Sequence, residues 1–458
     1  MNDPDCLYVC GRDLKGGDIR VGGFKHAFVS VVAGCLAARS AFTIRNAPEI
    51  LERTVIERLL RDNRVSVHSQ GTAFRMDCAR VQNLGIDSAL SSTIHGSVYL
   101  VPALVAACGR AELRGSGGCA IGDGKQGRRP TAHMVDVLRK FGATVESDDF
   151  GGLACSSNGL SNAEIDIMDY SLRDDALTGP HISGATKTAI IAALGTAPGQ
   201  VSRIRNYYSK PDVTDLLAFI AERGGLVARS DNELRIAPLS ADPDTRREFS
   251  LTPDVSEVIT YIVLAAMAGV QLTLHAEGME QAAKGLKEEC RLLAQMGFDL
   301  NWQPETLLVA PPAEIRSVDI DVTSTGIFSD HQPFFALLLT KGDRPSVIRE
   351  YVWKTRFSYA DELAAFGAKI ERMHSAIRVF PSQLHPPSRG VQAQDLRMAS
   401  VLLIAALSLD VPVRLTNMRH LERGYSQIWQ QMQSIGAIVH TCHDTVPRSA
   451  RYLTTLEK

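Results

Sequence analysis

Apolar positions along the chain fall into two recurring patterns. In the first, leucine-like residues spaced three and four apart describe an amphipathic helix, a glycine ends it, and alternating apolar residues follow as a strand. V-L-R-K-F-G-A-T-V-E from Val137, F-I-A-E-R-G-G-L-V-A from Phe219 and L-L-A-Q-M-G-F-D-L from Leu292 read this way. So do E-L-A-A-F-G-A-K-I-E from Glu362 and Q-M-Q-S-I-G-A-I-V-H from Gln431. R-L-L-R-D-N-R-V-S-V-H from Arg58 is a weaker copy, with Asn63 near the place of the glycine. The second pattern is a small-residue helix that is apolar nearly all round, and therefore predicted to be buried on most sides. It occurs as V-S-V-V-A-G-C-L-A-A from Val29, A-I-I-A-A-L-G-T-A from Ala189, I-V-L-A-A-M-A-G-V from Ile262 and V-L-L-I-A-A-L-S-L from Val401. Copies of the first phrase recur roughly every 70 to 80 residues, too far apart for a solenoid. They predict an α/β protein of two similar globular domains, each built from three strand–helix units.

Composition narrows the function classes. The 458 residues exceed one ordinary core, in keeping with two domains. Positive and negative side chains nearly balance and no basic tail occurs, which argues against a nucleic-acid binder. The opening M-N-D-P-D-C-L-Y-V-C lacks the basic-then-apolar order of a secretory signal. The best apolar run, Val258 to Val270, is shorter than the ~20 residues needed to span a membrane. The nine cysteines are odd in number and form no C-x-x-C pair, favouring neither a zinc site nor a disulfide framework. The expectation is a reduced, soluble, cytoplasmic protein without membrane or nucleic-acid partners.

One stretch concentrates chemistry: G-S-G-G-C-A-I-G-D-G-K-Q-G-R-R-P, residues 115–130. Glycines permit tight turns and close approach to a ligand, arginine forks suit phosphate or carboxylate, and nearby cations make a thiol such as Cys119 more acidic. Taken alone, it reads equally as a flexible surface loop. It is not the G-x-G-x-x-G of a dinucleotide site, because G-G-C-A-I-G has the wrong spacing.

Ordered motifs over nearly the whole chain resemble the enolpyruvyl transferase superfamily, which includes the UDP-N-acetylglucosamine and shikimate-3-phosphate enzymes. In the first half they are G-G-F-K-H-A from Gly22, R-N-A-P from Arg45, G-G-C-A-I-G from Gly117 and S-G-A-T from Ser183. In the second they are P-D-V-S-E-V-I-T-Y from Pro253, F-S-D-H-Q-P-F-F from Phe328, S-V-I-R-E-Y-V-W-K-T-R-F from Ser346, D-L-R from Asp395 and H-L-E-R-G-Y from His420. The resemblance implies a two-domain inside-out α/β barrel with six βαβαββ-type units, three per domain. It implies one domain over residues 21–248, carrying the Cys119 loop, which would act as a lid. Residues 1–20 and 249–458 would form the other, carrying Asp330, Arg397 and Arg423.

The reaction so implied adds an acceptor hydroxyl to C2 of phosphoenolpyruvate, protonates C3, and then expels phosphate, with no metal or organic cofactor. Lys25, Arg129, Arg397 and Arg423 match the cations around the donor. Cys119 matches a thiol that serves as acid at C3 or as adduct former. Asp330 matches the carboxylate assigned as base, although an aspartate there also reads as a turn or helix cap. Asp395 and Arg397 read equally as a structural ion pair.

Departures from the family pattern cluster on the acceptor side. His26 replaces an asparagine, His95 replaces an arginine, D-G-K-Q-G lengthens the loop, and Ala132 stands where an aspartate meets uracil. His181, Ser183 and Lys187 flank Gly184 where a diphosphate is held. The expected acceptor wall is therefore His26, His95, Arg128, Pro130, Thr131, His133, Ser183, Gly184 and Lys187, with Asp330. These changes imply a nucleotide or sugar-nucleotide acceptor other than the usual one. UMP, at its 3′-hydroxyl, is the acceptor of a relative in nikkomycin- and polyoxin-type pathways. The alternatives are the peptidoglycan enzyme itself and a catalytically silent nucleotide-binding paralogue.

Overall fold

The computed structural model describes residues 6–118, 121, 128–148, 151–230, 232–239 and 247–441, with Arg247 described by its backbone alone. Within them the strands form six small sheets, five of four strands and one of three. Each copy of the helix–glycine–strand phrase supplies an edge strand to a different sheet: Ser66–Gln70, Thr144–Ser147, Val227–Arg229, Leu300–Trp302, Lys369–Met373 and Ile438–Thr441. The glycines explain the abrupt change of direction. Gly142, Gly224, Gly297, Gly367 and Gly436 all take φ between 75° and 103°, where a side chain would strain the backbone. In the weak copy the left-handed residue is Arg64, at φ 60°, rather than Asn63. Asn63 instead turns back, its Nδ2 donating to the Leu59 carbonyl at 2.9 Å.

The core is helical. Lys25–Ala37, Leu100–Cys108 and His181–Ala193 pack against one another in the first half, and Val255–Ala268, Gln332–Leu339 and Leu396–Leu407 do so in the second. Four of these are the small-residue helices read from the sequence. Leu100–Cys108 and Gln332–Leu339 are equally buried and were not anticipated. Asp254 and Asp395 start two of them by accepting hydrogen bonds from the first-turn amides, Asp395 from Arg397 N at 2.8 Å and Met398 N at 2.9 Å. D-L-R is thus a helix cap, and Arg397 finds its ionic partner elsewhere.

Strand pairing joins segments more than 400 residues apart. Leu7–Cys10 lies antiparallel between Val413–Thr416 and Ile438–Thr441. Gly17–Arg20 runs parallel to Leu272–His275, whereas Arg247–Ser250 pairs with Ala41–Arg45. The chain therefore passes between the two halves twice, and the passages lie side by side. Phe24 N donates to Thr252 O at 2.8 Å, and Asp254 N to Gly22 O at 2.7 Å.

The reading of the cysteines as unpaired thiols is corrected at one position. Cys6 is disulfide-bonded, whereas Cys10, Cys35, Cys78, Cys108, Cys155 and Cys290 are free. No helix among the described residues is long and apolar enough to cross a membrane.

Candidate active site

A cleft lies where the two helical cores face each other. Lys25 and His26 occupy the first turn of helix Lys25–Ala37, immediately after one passage between the halves. That helix start is fixed from across the passage, because Lys25 N donates to Asp254 Oδ2 at 3.2 Å. Among the described residues, seven cationic side chains and three carboxylates line the cleft, a positive surplus suited to an anionic ligand.

Each carboxylate is engaged. Glu52 meets Lys25 Nζ at 3.4 Å, and Asp212 meets Lys187 Nζ at 2.8 Å, the latter pair almost wholly buried. Asp330 is held twice: its Oδ1 accepts from Arg356 at 2.5 Å and its Oδ2 from Arg397 Nε and Nη2 at 3.1 and 2.9 Å. Burial alone would raise the Asp330 carboxyl, but the facing Arg356 and Arg397 guanidiniums hold it well below the usual carboxylate range. A buried chain behind it pins its segment. Glu289 accepts from His331 Nδ1 at 2.8 Å, and His331 Nε2 accepts from Ser256 Oγ at 3.0 Å. Phe328 N also donates to Glu289, at 2.8 Å.

Beside Asp330, Ser329 Oγ donates to Glu350 at 2.8 Å. Burial raises the Glu350 carboxyl to about 7, against hydrogen bonds from Trp353 N, Ser329 and Val352 N. Its unfolded value is about 4.3. The folded state thus binds the extra proton between those values, and stability falls as pH rises through that window. Glu350→Gln should flatten this part of the profile, so that thermal melts at pH 5 and pH 7.5 lie closer together than in the wild type. An unchanged difference would exclude Glu350 as its source. Asp215, raised to about 6 by burial, keeps its own contribution in both proteins.

The histidines of the expected acceptor wall lie around the same cleft. His133 Nδ1 stands 3.1 Å from His181 Nδ1, so one ring donates and the other accepts. Burial, reinforced by His181, lowers the His133 imidazole to about 3, and burial lowers that of His181. His95 is also lowered, first by burial and then by the charges of Arg129 and Lys187.

Of the expected site residues, Lys25, His26, His95, Arg129, Pro130, His133, Ser183, Gly184, Lys187, Asp330, Arg397 and Arg423 line this one cleft. Arg128 and Thr131 lie outside its lining, and Cys119 lies outside the described residues. The sequence reading missed Glu52, Lys210, Asp212 and Arg356. Lys210 donates from Nζ to Gly326 O at 2.7 Å and sits over the Phe328 ring, joining the two halves across the cleft. Arg129 stacks similarly over Trp353, 5.6 Å from the ring centre.

Fold and comparisons together define a transferase of the enolpyruvyl class. Residues 11–432 match the family described as EPSP synthase (3-phosphoshikimate 1-carboxyvinyltransferase), and the chain belongs to that family. It is 25% identical over 437 residues to UDP-N-acetylglucosamine 1-carboxyvinyltransferase 1 of Staphylococcus haemolyticus, covering 94% of this chain and 97% of that one. The crystal structure of the enolpyruvyl transferase NikO from Streptomyces tendae superposes with a TM-score of 0.88 at 31% identity, over 96% of this chain and 99% of that one. EPSP synthase from Acinetobacter baumannii shares the fold, with a TM-score of 0.69 at 14% identity over 95% of this chain and 100% of that one. The family joins phosphoenolpyruvate to a sugar or nucleotide acceptor.

Proposed function

We propose that this enzyme transfers the enolpyruvyl group of phosphoenolpyruvate to the 3′-hydroxyl of UMP in a nucleoside antibiotic pathway. The observation carrying this reading is the contrast within one cleft. The donor cations Lys25, Arg129, Arg397 and Arg423 stand together, while the acceptor wall has become His95, His133 and a Lys187 already neutralised by Asp212. The higher identity to NikO than to the staphylococcal enzyme supports the same direction. In this reading the four cations hold the phosphate and carboxylate of the donor, Cys119 supplies the proton at C3 or forms an adduct, and the corner of Asp330 and His26 receives the hydroxyl proton. Residues 21–248 form one inside-out barrel domain, and residues 1–20 with 249–458 form the other. The pairing of Gly17–Arg20 with Leu272–His275 supports this division.

The test is phosphate release from phosphoenolpyruvate with UMP, UDP-N-acetylglucosamine or shikimate 3-phosphate, followed by mass spectrometry of the product. The expected result is release with UMP and a UMP product enlarged by one carboxyvinyl group. Turnover of UDP-N-acetylglucosamine alone would return the enzyme to peptidoglycan synthesis, the reading favoured by its 25% identity to the staphylococcal enzyme. Silence with every acceptor would leave a nucleotide-binding paralogue.

A further inference from the structure

We propose that His26 is the catalytic base that takes the proton of the acceptor hydroxyl, and that Asp330 is the positioning carboxylate behind it. The proposal rests on the reading of this cleft as an enolpyruvyl transfer site.

The argument begins with what Asp330 is already doing. Arg356 takes one of its oxygens and the Arg397 fork takes the other. A proton arriving there must compete with two guanidiniums, which makes the carboxylate a poor proton store at neutral pH. The other carboxylates are no freer, since Glu52 is held by Lys25 and Asp212 by Lys187. His133 is engaged with His181.

His26 differs from all of these. Its side chain keeps 38% of its surface accessible, and its Nε2 lies 3.8 Å from Asp330 Oδ2. The edge-on ring of Phe24, 5.3 Å away, supports it from behind. The charged and titratable groups facing it are Asp330, Lys25 on its own helix, Glu52 on helix Leu51–Asp62, Lys187 on helix His181–Ala193, and His95. The ring is part of the cleft lining. Desolvation lowers its pKa, the Asp330 contact raises it, and Lys25 and Lys187 lower it, for a net downward shift. The imidazole is therefore neutral at pH 7 and able to accept a proton. The adjacent carboxylate favours the imidazolium once it forms, as in other histidine–aspartate pairs.

The step balances. The acceptor O–H bond breaks and its proton passes to His26, while the oxygen's electron pair forms a bond to C2 of phosphoenolpyruvate. The π pair of the double bond takes a proton at C3 from the enzyme's acid. In the second half C3 returns that proton to the same group, the double bond re-forms, and the C2–O bond to phosphate breaks. Phosphate leaves with the proton from His26.

The test compares wild type, His26→Ala and His26→Gln, using whichever acceptor the wild type turns over. Failure of the wild type with UMP would count against the acceptor reading alone. The expected loss in kcat is about 10²- to 10³-fold for His26→Ala, within the usual range for a general base, with KM for phosphoenolpyruvate little changed. Added imidazole should restore at least about a tenfold part of it, as free base enters the space left by the ring. The acidic limb of the wild-type kcat profile, with an apparent pKa below the ordinary histidine value, should vanish in His26→Gln. Should His26→Ala not fold, the glutamine variant's pH profile decides. Near-normal kcat, a retained acidic limb, or a loss confined to the acceptor KM and unmoved by imidazole would overturn the proposal.

Discussion

Arg397→Ala should abolish turnover, by at least about 10³-fold, and destabilise the fold by about 3 kcal/mol, the lower end of the range for breaking a buried ion pair. The guanidinium is 3% exposed. Its Nε and Nη2 grip Asp330, and its Nη1 donates to Tyr425 Oη at 3.2 Å. That hydroxyl also meets Ser400 Oγ at 2.9 Å and Thr260 Oγ1 at 2.7 Å, so one side chain ties three elements together. Alanine leaves Asp330 with Arg356 at 2.5 Å and the more distant His26 at 3.8 Å, which is why the lower end applies. In the proposed reading Arg397 is also one of the four donor cations, so the affinity for phosphoenolpyruvate should fall as well. Denaturant melts and steady-state phosphate release measure the two effects separately. The pH dependence has a definite sign. Because Asp330 is depressed in the fold, its contribution is complete above the unfolded value of about 3.9 and is lost as pH falls through the folded value. The stability gap between wild type and variant should therefore narrow in strong acid. An Arg397→Ala enzyme with a normal KM for phosphoenolpyruvate would remove the residue from the donor clamp.

Gly23→Ala should be nearly as damaging, although the residue carries no functional group. A Cβ there would lie 1.6 Å from the Asn46 carbonyl oxygen and 2.8 Å from its carbon. Those are backbone atoms and do not swing aside. Asn46 is itself fixed in the left-handed region, at φ 53°, and its Nδ2 holds Leu251 O at 3.0 Å. The clash therefore spreads into both passages between the halves. Overpacking of this kind costs about 1–3 kcal/mol. Lys25 and His26 follow within three residues, and a displacement of 1 Å in a catalytic group can lower the rate about 10²-fold. Thermal melts with donor and acceptor titrations would register both losses. Unchanged melting and kinetics would mean the passages tolerate separation.

The helix–glycine–strand phrases were legible because each is local: the period sets the helix, and only a residue at ease with positive φ ends it so sharply. The helices Leu100–Cys108 and Gln332–Leu339 escaped notice because Pro102 breaks the apolar run of the first and Pro333 stands directly before the short run of the second. Both prolines sit in the first turn, where no hydrogen bond is lost. Within the site, the motif-bearing cations and Asp330 were legible and most of their partners were not. Glu52 reads as a solvent-facing charge on an amphipathic helix. Its burial against Lys25, 27 positions away, depends on packing that no local pattern encodes. Arg356 lay inside a quoted motif, yet its role depends on reaching Asp330 from another segment. His26 carried the clearest signal, a titratable ring beside the motif lysine, but its sequence position alone could not separate contact from proton transfer.

The place of Leu7–Cys10 between Val413–Thr416 and Ile438–Thr441 bears on how the protein is made. A chain leaving the ribosome folds from its first residues onward. Here Leu7–Cys10 must wait for Ile438–Thr441, more than 400 residues later. Helix Lys25–Ala37 and its partners in the first half can assemble early, whereas the sheet that receives Leu7–Cys10 closes only after translation has passed residue 441. Until Val413–Thr416 has emerged that strand has neither of its two partners, a natural point of contact for a holding chaperone. A message cut short before codon 413 would therefore leave Leu7–Cys10 without either of its neighbours.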